Sequence, residues 1–336
     1  NSALAVNTTG TDNIAIGNYA LDANTTSSYM VAVGKNALGA NTTGGNSVAI
    51  GWAALNVNTT GADNLAIGAS ALGANTTASN NTAVGRSALS ANTTGAGNVA
   101  VGKDALEANT TASNNTAVGL DALTANTTGT ENVAVGYNAL DANTTANYNI
   151  GIGSNALGVN STGANNVAVG TFALDANTTA SDNTGLGYQA LSANSTGASN
   201  TAVGSYALVT NTTASNNTAV GYSALLYNTD GYANTAIGAE AGDAVTTGDF
   251  NVFVGKGAGG GTTTADANTA VGESSFVANT TGANNVAMGA NALGSNTTAA
   301  SNVAIGKSAL YANTTANDNT AVGYQSLTSN TTATYN

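Results

Sequence analysis

One period constrains this chain more than any other feature. The triplet Asn-Thr-Thr, or a close variant, returns every seventeen residues from Asn7 through Asn24, Asn41 and Asn58 to Asn330, with no insertion or deletion. A second marker keeps the same step: Gly17, Gly34, Gly51 and their successors to Gly323 form nineteen glycines without a substitution. A fixed period of this kind belongs to architectures in which each unit stacks on its neighbours, because one short unit cannot bury an apolar side alone. Residues 1–336 therefore read as a single continuous repeat domain with no separate globular part. Its consensus is N-T-T-(G/A)-x-x-N-(V/T)-A-(V/I)-G-x-x-A-L-x-A.

The unit is too short and too rich in Asn, Thr, Gly and Val for helix, and short β-branched runs bounded by Gly and Asn predict strands. The expected coil has one strand near residues 13–16, a turn at Gly17, a second short strand near residues 20–23, and a return turn through Asn24, Thr25 and Thr26. The fold class is all-β, a β-solenoid of the parallel β-roll type with about twenty coils. At roughly 4.8 Å per coil such a stack would run to roughly 95 Å.

The aliphatic residue before each glycine (Ile16, Val33, Ile50) and the leucine four places after it (Leu21, Leu38) are assigned to the core, and the alanine between (Ala15, Ala32, Ala49) to the outer side. A row of small residues there suits close packing of one solenoid on another, hence a homotrimer. Stacking also accounts for Asn13, Asn64, Asn81 and Asn98 before the strand and for Asn24 and Asn41 opening the Thr pair. Their amides are expected to form ladders from coil to coil. Gly17 and Gly34 are expected to need positive φ or a close backbone approach. From Gly61 to Gly231 the residue after the Thr pair alternates Gly and Ala, a period of thirty-four that fits duplication of a two-unit block.

Composition removes most chemistry. The chain has no Cys and no His, which takes away thiol nucleophiles, disulfides and the usual general base and metal ligand. Five basic residues against seventeen acidic ones give a net charge of −12, which opposes binding to a nucleic-acid backbone. No apolar run approaches the roughly 20 residues needed to cross a bilayer, so no membrane insertion is expected. Ser and Thr are abundant but lack an activating base. The expectation is no enzyme, no cofactor and no metal. Any export signal or anchor is expected outside these residues.

Two features stand apart from the regular pattern. Trp52, Tyr137, Tyr188, Tyr222 and Tyr324 all follow the fixed glycine, in the slot that also holds the five basic residues, and make a candidate ligand or lateral-contact stripe. Between residues 240 and 266 the leucines give way to Gly242 and Gly259, the strand alanine to Phe253, and Asn-Thr-Thr to triplets opening on Val245 and Thr262. Two absent leucines would leave a void, and Phe253 with Phe250 is the expected filler.

The strings NTAVGRSAL (81–89), NVAVGKDAL (98–106), NTAVGYSAL (217–225) and NTAVGYQSL (319–327) resemble the repeats of trimeric autotransporter adhesin heads, and are similar to Asn-Thr-Thr-Gly-spaced repeats upstream of chaperone domains in phage tail fibres. The resemblance covers the whole chain. It implies a left-handed parallel β-roll, trimeric assembly and an extracellular, cell-surface or virion location. The expected function is a structural or adhesive shaft acting as a rigid, multivalent rod. The alternatives are a filament subunit stacking end to end, since both ends of the chain fall mid-repeat without a polar cap, and binding of a glycan or receptor along the aromatic stripe.

Overall fold

A computed structural model describes residues 2–336 and contains only β-structure, nineteen parallel three-residue strands spaced seventeen residues apart. The chain divides into two compact units. Unit 1 ends at Asn166 and carries β1 (Ile14–Ile16) to β9 (Ile150–Ile152); unit 2 runs from Val167 to Asn336 and carries β10 (Val167–Val169) to β19 (Thr320–Val322). Within each unit every strand pairs in parallel with the next at a shift of one repeat, as Ile14 with Val31 and Val31 with Val48 in unit 1, or Thr201 with Thr218 in unit 2. Each unit is thus a β-solenoid, and the irregular residues 240–266 lie inside unit 2 without a change of register.

The second strand expected near residues 20–23 does not form. Residues 18–23 make successive tight turns in which alternate residues are left-handed, Tyr19 at φ 58° and Leu21 at φ 50°. Ala20 N–H closes onto Gly17 O at 3.3 Å and Asn24 N–H onto Leu21 O at 3.2 Å, while Leu21 N–H still reaches the next coil at Ala37 O, 3.0 Å. A third left-handed position precedes the strand, as at Asp12 and Tyr29. Among the described residues no Val, Ile or Thr has a positive φ. A second branch on Cβ makes that region strained, which explains why these slots vary among Asn, Asp, Ser, Tyr and Leu but exclude Val, Ile and Thr.

The left-handed leucines turn their side chains inward, and this reverses the expected facing of the strand. Ala32, Ala49 and Ala66 are fully buried, whereas Ile16 is 61% and Ile50 39% exposed. The aliphatic residues before the glycines therefore do not form the core, and the alanine row is not an outer contact surface. The reason is space. Successive residues of a strand face opposite sides, and the interior already holds Leu38 or Leu55, fully buried. Gly151, which replaces alanine in β9, shows how tight the fit is: a Cβ there would lie 3.2 Å from Leu140 Cγ. One leucine with the methyls of the strand alanine and of the alanine before the leucine, as Leu38 with Ala32 and Ala37, fills a coil, and a second large side chain in the strand slot would overpack it.

The irregular coils obey the same volume rule. Phe253, in β15 (Val252–Val254), is fully buried, and added Cβ atoms on Gly242 and Gly259 would lie 2.7 and 2.5 Å from its ring. One aromatic ring thus occupies the space two leucines leave. Phe276 fills the next leucine slot, also buried. Phe250 is not a filler; it is 54% exposed and meets Tyr232 edge to face, with centroids 4.8 Å apart.

Candidate interaction surfaces

Two buried asparagine ladders hold the turns that present these surfaces. In the first, Asn58 Nδ2 donates to Asn41 Oδ1 at 2.8 Å and Asn92 Nδ2 to Asn75 Oδ1 at 3.0 Å; the column starts at Asn7, whose Oδ1 accepts from Asn24. In the second, each Oδ1 accepts a backbone N–H one coil on, Asn81 N to Asn64 Oδ1 at 3.0 Å and Asn98 N to Asn81 Oδ1 at 2.9 Å. The ladders meet on one carbonyl per coil: Gly95 O accepts from both Asn81 Nδ2 and Asn92 Nδ2 at 2.9 Å. Inside the stack these amides are buried and, apart from Asn228 Oδ1, bonded, which meets the requirement for interior polar groups and leaves Asn24, Asn41 and their successors up to Asn228 no exposure to carry a glycan despite their Asn-Thr-Thr context. Near the start of unit 1 the second ladder passes through Met30 and Ser47, with Asn13 Oδ1 accepting from Met30 N and Asn64 N donating to Ser47 Oγ.

The first ladder breaks where Val245 and Thr262 replace asparagine. Asn228 Oδ1 and Thr262 Oγ1 are left buried without a hydrogen bond. Val245→Asn should repair this, because its Nδ2 would reach Asn228 Oδ1 and its own Oδ1 would face the Thr262 hydroxyl. Satisfying a buried acceptor is worth about 1 kcal/mol net, and chemical denaturation of the variant checks the gain; equal or lower stability would show that the valine's packing matters more than the unmet amide.

The alternation of Gly and Ala after the Thr pair has a structural counterpart. In the Gly coils two successive N–H groups share one carbonyl, as Thr93 and Thr94 do on Thr110 O, and the residue after the glycine donates to a side chain of the next, Ala-type coil, as Ala96 N does to Ser113 Oγ at 3.0 Å. Ala62 repeats this with Ser79, and Ala198 with Ser215. A Cβ on Gly95 would run into Ala112 O. The two-unit block is therefore a conformational pair as well as a sequence pair.

The outward surface has three parts. The first is the outer face of the strands, lined by the flanking residues of each, such as Val99 and Val101 or Thr116 and Val118, with no charged residue in any strand. Sequence reasoning missed this face because it placed these side chains inside.

The second is the aromatic slot after the fixed glycine. Trp52 (58% exposed) and Tyr137 project from unit 1, five repeats apart, and Tyr324 from unit 2. Only Tyr188 and Tyr222 are brought together, through Tyr206, which meets them edge to face at 5.4 and 6.0 Å. The predicted stripe is thus one tyrosine trio plus separate exposed rings.

The third is charge. Arg86 and Lys103 both contact Asp104, at 3.2 and 2.8 Å. Burial works to raise the Asp104 carboxyl, but the Lys103 hydrogen bond and the two positive charges outweigh it and hold it below the usual range. Asp141, Asp175 and Asp243, in the slot after leucine, are raised by burial against partial relief from backbone N–H groups. Among the described residues no helix is long and apolar enough to cross a membrane. No protein-family model matches the chain, and a search of curated proteins finds no match.

Proposed function

We propose that the chain is a structural shaft of an extracellular, cell-surface or virion fibre, in which the outer strand faces pack against copies of the same chain. The observation that carries this reading is the uncharged column of Val, Ile, Leu, Thr and Met on the strands, half-exposed in coil after coil. A bare face of that kind is a liability in water. Three-residue strands about 4.8 Å apart give each unit about 40 Å by 10 Å of such surface, roughly half the usual contribution of one partner to a stable interface. A second copy carries the same face at the same spacing, and the net charge of −12 lies off it. In this reading the protein works by reach and multivalency rather than catalysis.

Sedimentation of the purified chain tests the reading. A dimer or trimer should form, and Val101→Asp with Val118→Asp should convert it to monomer while circular dichroism stays that of β-structure. A wild-type chain that stays monomeric at tens of micromolar would overturn it. Electron microscopy distinguishes discrete rods from indefinite filaments stacked end to end. The tyrosine trio supports a second reading, attachment to a glycan or receptor, tested by binding to cell-surface glycans before and after Tyr188→Ala with Tyr222→Ala.

A further inference from the structure

A shallow cleft of about 320 Å³ in unit 2, away from the strand faces and from the tyrosine trio, is lined by Asn291, Ser308, Tyr311, Gln325 and Thr328. Asn291, Ser308 and Gln325 occupy one slot in three successive coils, two places after the fixed glycine, where φ is 57°, 56° and 53°. Their backbones are pinned by bonds to the coil before: Asn291 N to Glu273 O at 3.1 Å, Ser308 N to Ala290 O at 2.9 Å, and Gln325 N to Lys307 O at 3.0 Å. Tyr311 and Thr328 occupy the slot after leucine. The Tyr311 ring lies over Gly294 of the preceding coil, where a Cβ would come within 2.9 Å of its Cε2. A glycine in that one place lets the ring lie against the solenoid instead of pointing away from it.

Among the described residues none of the five side chains has a hydrogen-bond partner. Two amides and two aliphatic hydroxyls, together with the phenol, therefore face a concave surface with their donors and acceptors unused, beside an aromatic ring whose position is set by packing. No charged side chain lines the cleft. That combination selects a ligand with an apolar face and a rim of uncharged hydroxyl or amide groups. An anion would find no positive side chain in the cleft and meets a chain of net charge −12.

We propose that this cleft binds a neutral pyranose, its C–H face against Tyr311 and its hydroxyls bonded to Asn291, Ser308, Gln325 and Thr328. Ligand sites commonly pair an aromatic or apolar wall with a few convergent polar groups, and the cleft is at the lower end of their usual size. Its repeated backbone makes the position of each polar group a consequence of the solenoid register. The choice of side chains at five positions of two otherwise variable slots makes it local, because the same slots elsewhere carry residues such as Asp104 and Glu107, or Glu240 and Asp243.

An array of immobilised neutral oligosaccharides of glucose, galactose, mannose and N-acetylhexosamines, with sialylated glycans as controls, is the first test. Binding to one or more neutral glycans and none to the sialylated set is expected. Saturation-transfer NMR with the soluble form of a bound glycan should then show about tenfold weaker binding for Tyr311→Ala, corresponding to one lost ring contact, and a smaller loss for Asn291→Ala or Gln325→Ala. Tyr311→Phe should retain most of the affinity. Tyr188→Ala and Tyr324→Ala should leave it unchanged, which separates this cleft from the other exposed tyrosines. These residues are on the surface, so each variant should melt with the wild type. An empty neutral array, or binding that survives Tyr311→Ala, overturns the proposal, and neither outcome bears on self-association through the strand faces.

Discussion

Phe253→Ala is expected to destabilise unit 2 by about 3–5 kcal/mol, the upper range for truncating a buried ring. The loss should be high because the coils on both sides contribute no side chain at Gly242 and Gly259, so nothing nearby can move into the gap. Both glycines have the φ of the leucine slots, 57° and 65° against 50° at Leu38, so leucine fits the backbone at either place. Restoring the regular repeat with Gly242→Leu and Gly259→Leu should therefore recover most of the stability lost in Phe253→Ala. The same Gly242→Leu change made with Phe253 present should be destabilising, because its Cβ alone would be 2.7 Å from the ring. The sign of one substitution thus depends on the other, and denaturant unfolding of the single, double and triple variants measures it. If Gly242→Leu is stabilising in both backgrounds, the ring does not fill the leucine space.

The second large effect is expected at the fixed glycine. In unit 1, Gly136 has φ 136°, and a Cβ on it would lie 2.6 Å from Gly153 O and 2.7 Å from Gly153 C in the next coil. Backbone conformation and contact both exclude a side chain, and the contact is with backbone that is itself bonded to its neighbours. Gly136→Ala should lose more than about 3 kcal/mol, combining left-handed strain with the displaced coil. Tyr137→Ala, one residue on and 51% exposed, should change stability by less than about 0.5 kcal/mol. Hydrogen exchange should show the damage centred on β8 (Val133–Val135) and β9 rather than spread through unit 1, because each coil bonds only to its neighbours. Equal effects from the two substitutions would mean the coils are not in close contact along the glycine column.

Much of this was legible before any coordinates. Two asparagines per repeat in fixed positions have few explanations other than ladders, since buried amides must be paired and identical residues stack in a parallel register. Asn24 and Asn81 do what their periodicity implies. Phe253 was legible as a filler because it appears where two leucines disappear. Phe250 was not separable from it by sequence, since both are phenylalanines in the same irregular coil; Phe253 goes in because it holds the buried alanine slot of β15, and Phe250 stays out in the left-handed slot before the strand, at φ 58°. The cleft around Tyr311 carried no signal in any single repeat, because it depends on side chains in variable slots of adjoining coils and on the glycine at 294.

The amino-acid sequence by itself determined the period, the parallel register, the two ladders and the glycine column. Each of these follows from one residue type recurring at one spacing, and a one-residue slip would break all of them together. Only the tertiary structure decided which side of the strand is the inside. A run such as Val-Ala-Val alternates large and small, and that alternation satisfies either orientation of a short strand. The choice was made by the left-handed leucines, whose side chains enter the interior from the opposite wall and leave room for a methyl group and nothing larger. With Ala inside, the Val and Ile side chains must face outward, and the uncharged outer face proposed for self-association follows from that one steric fact.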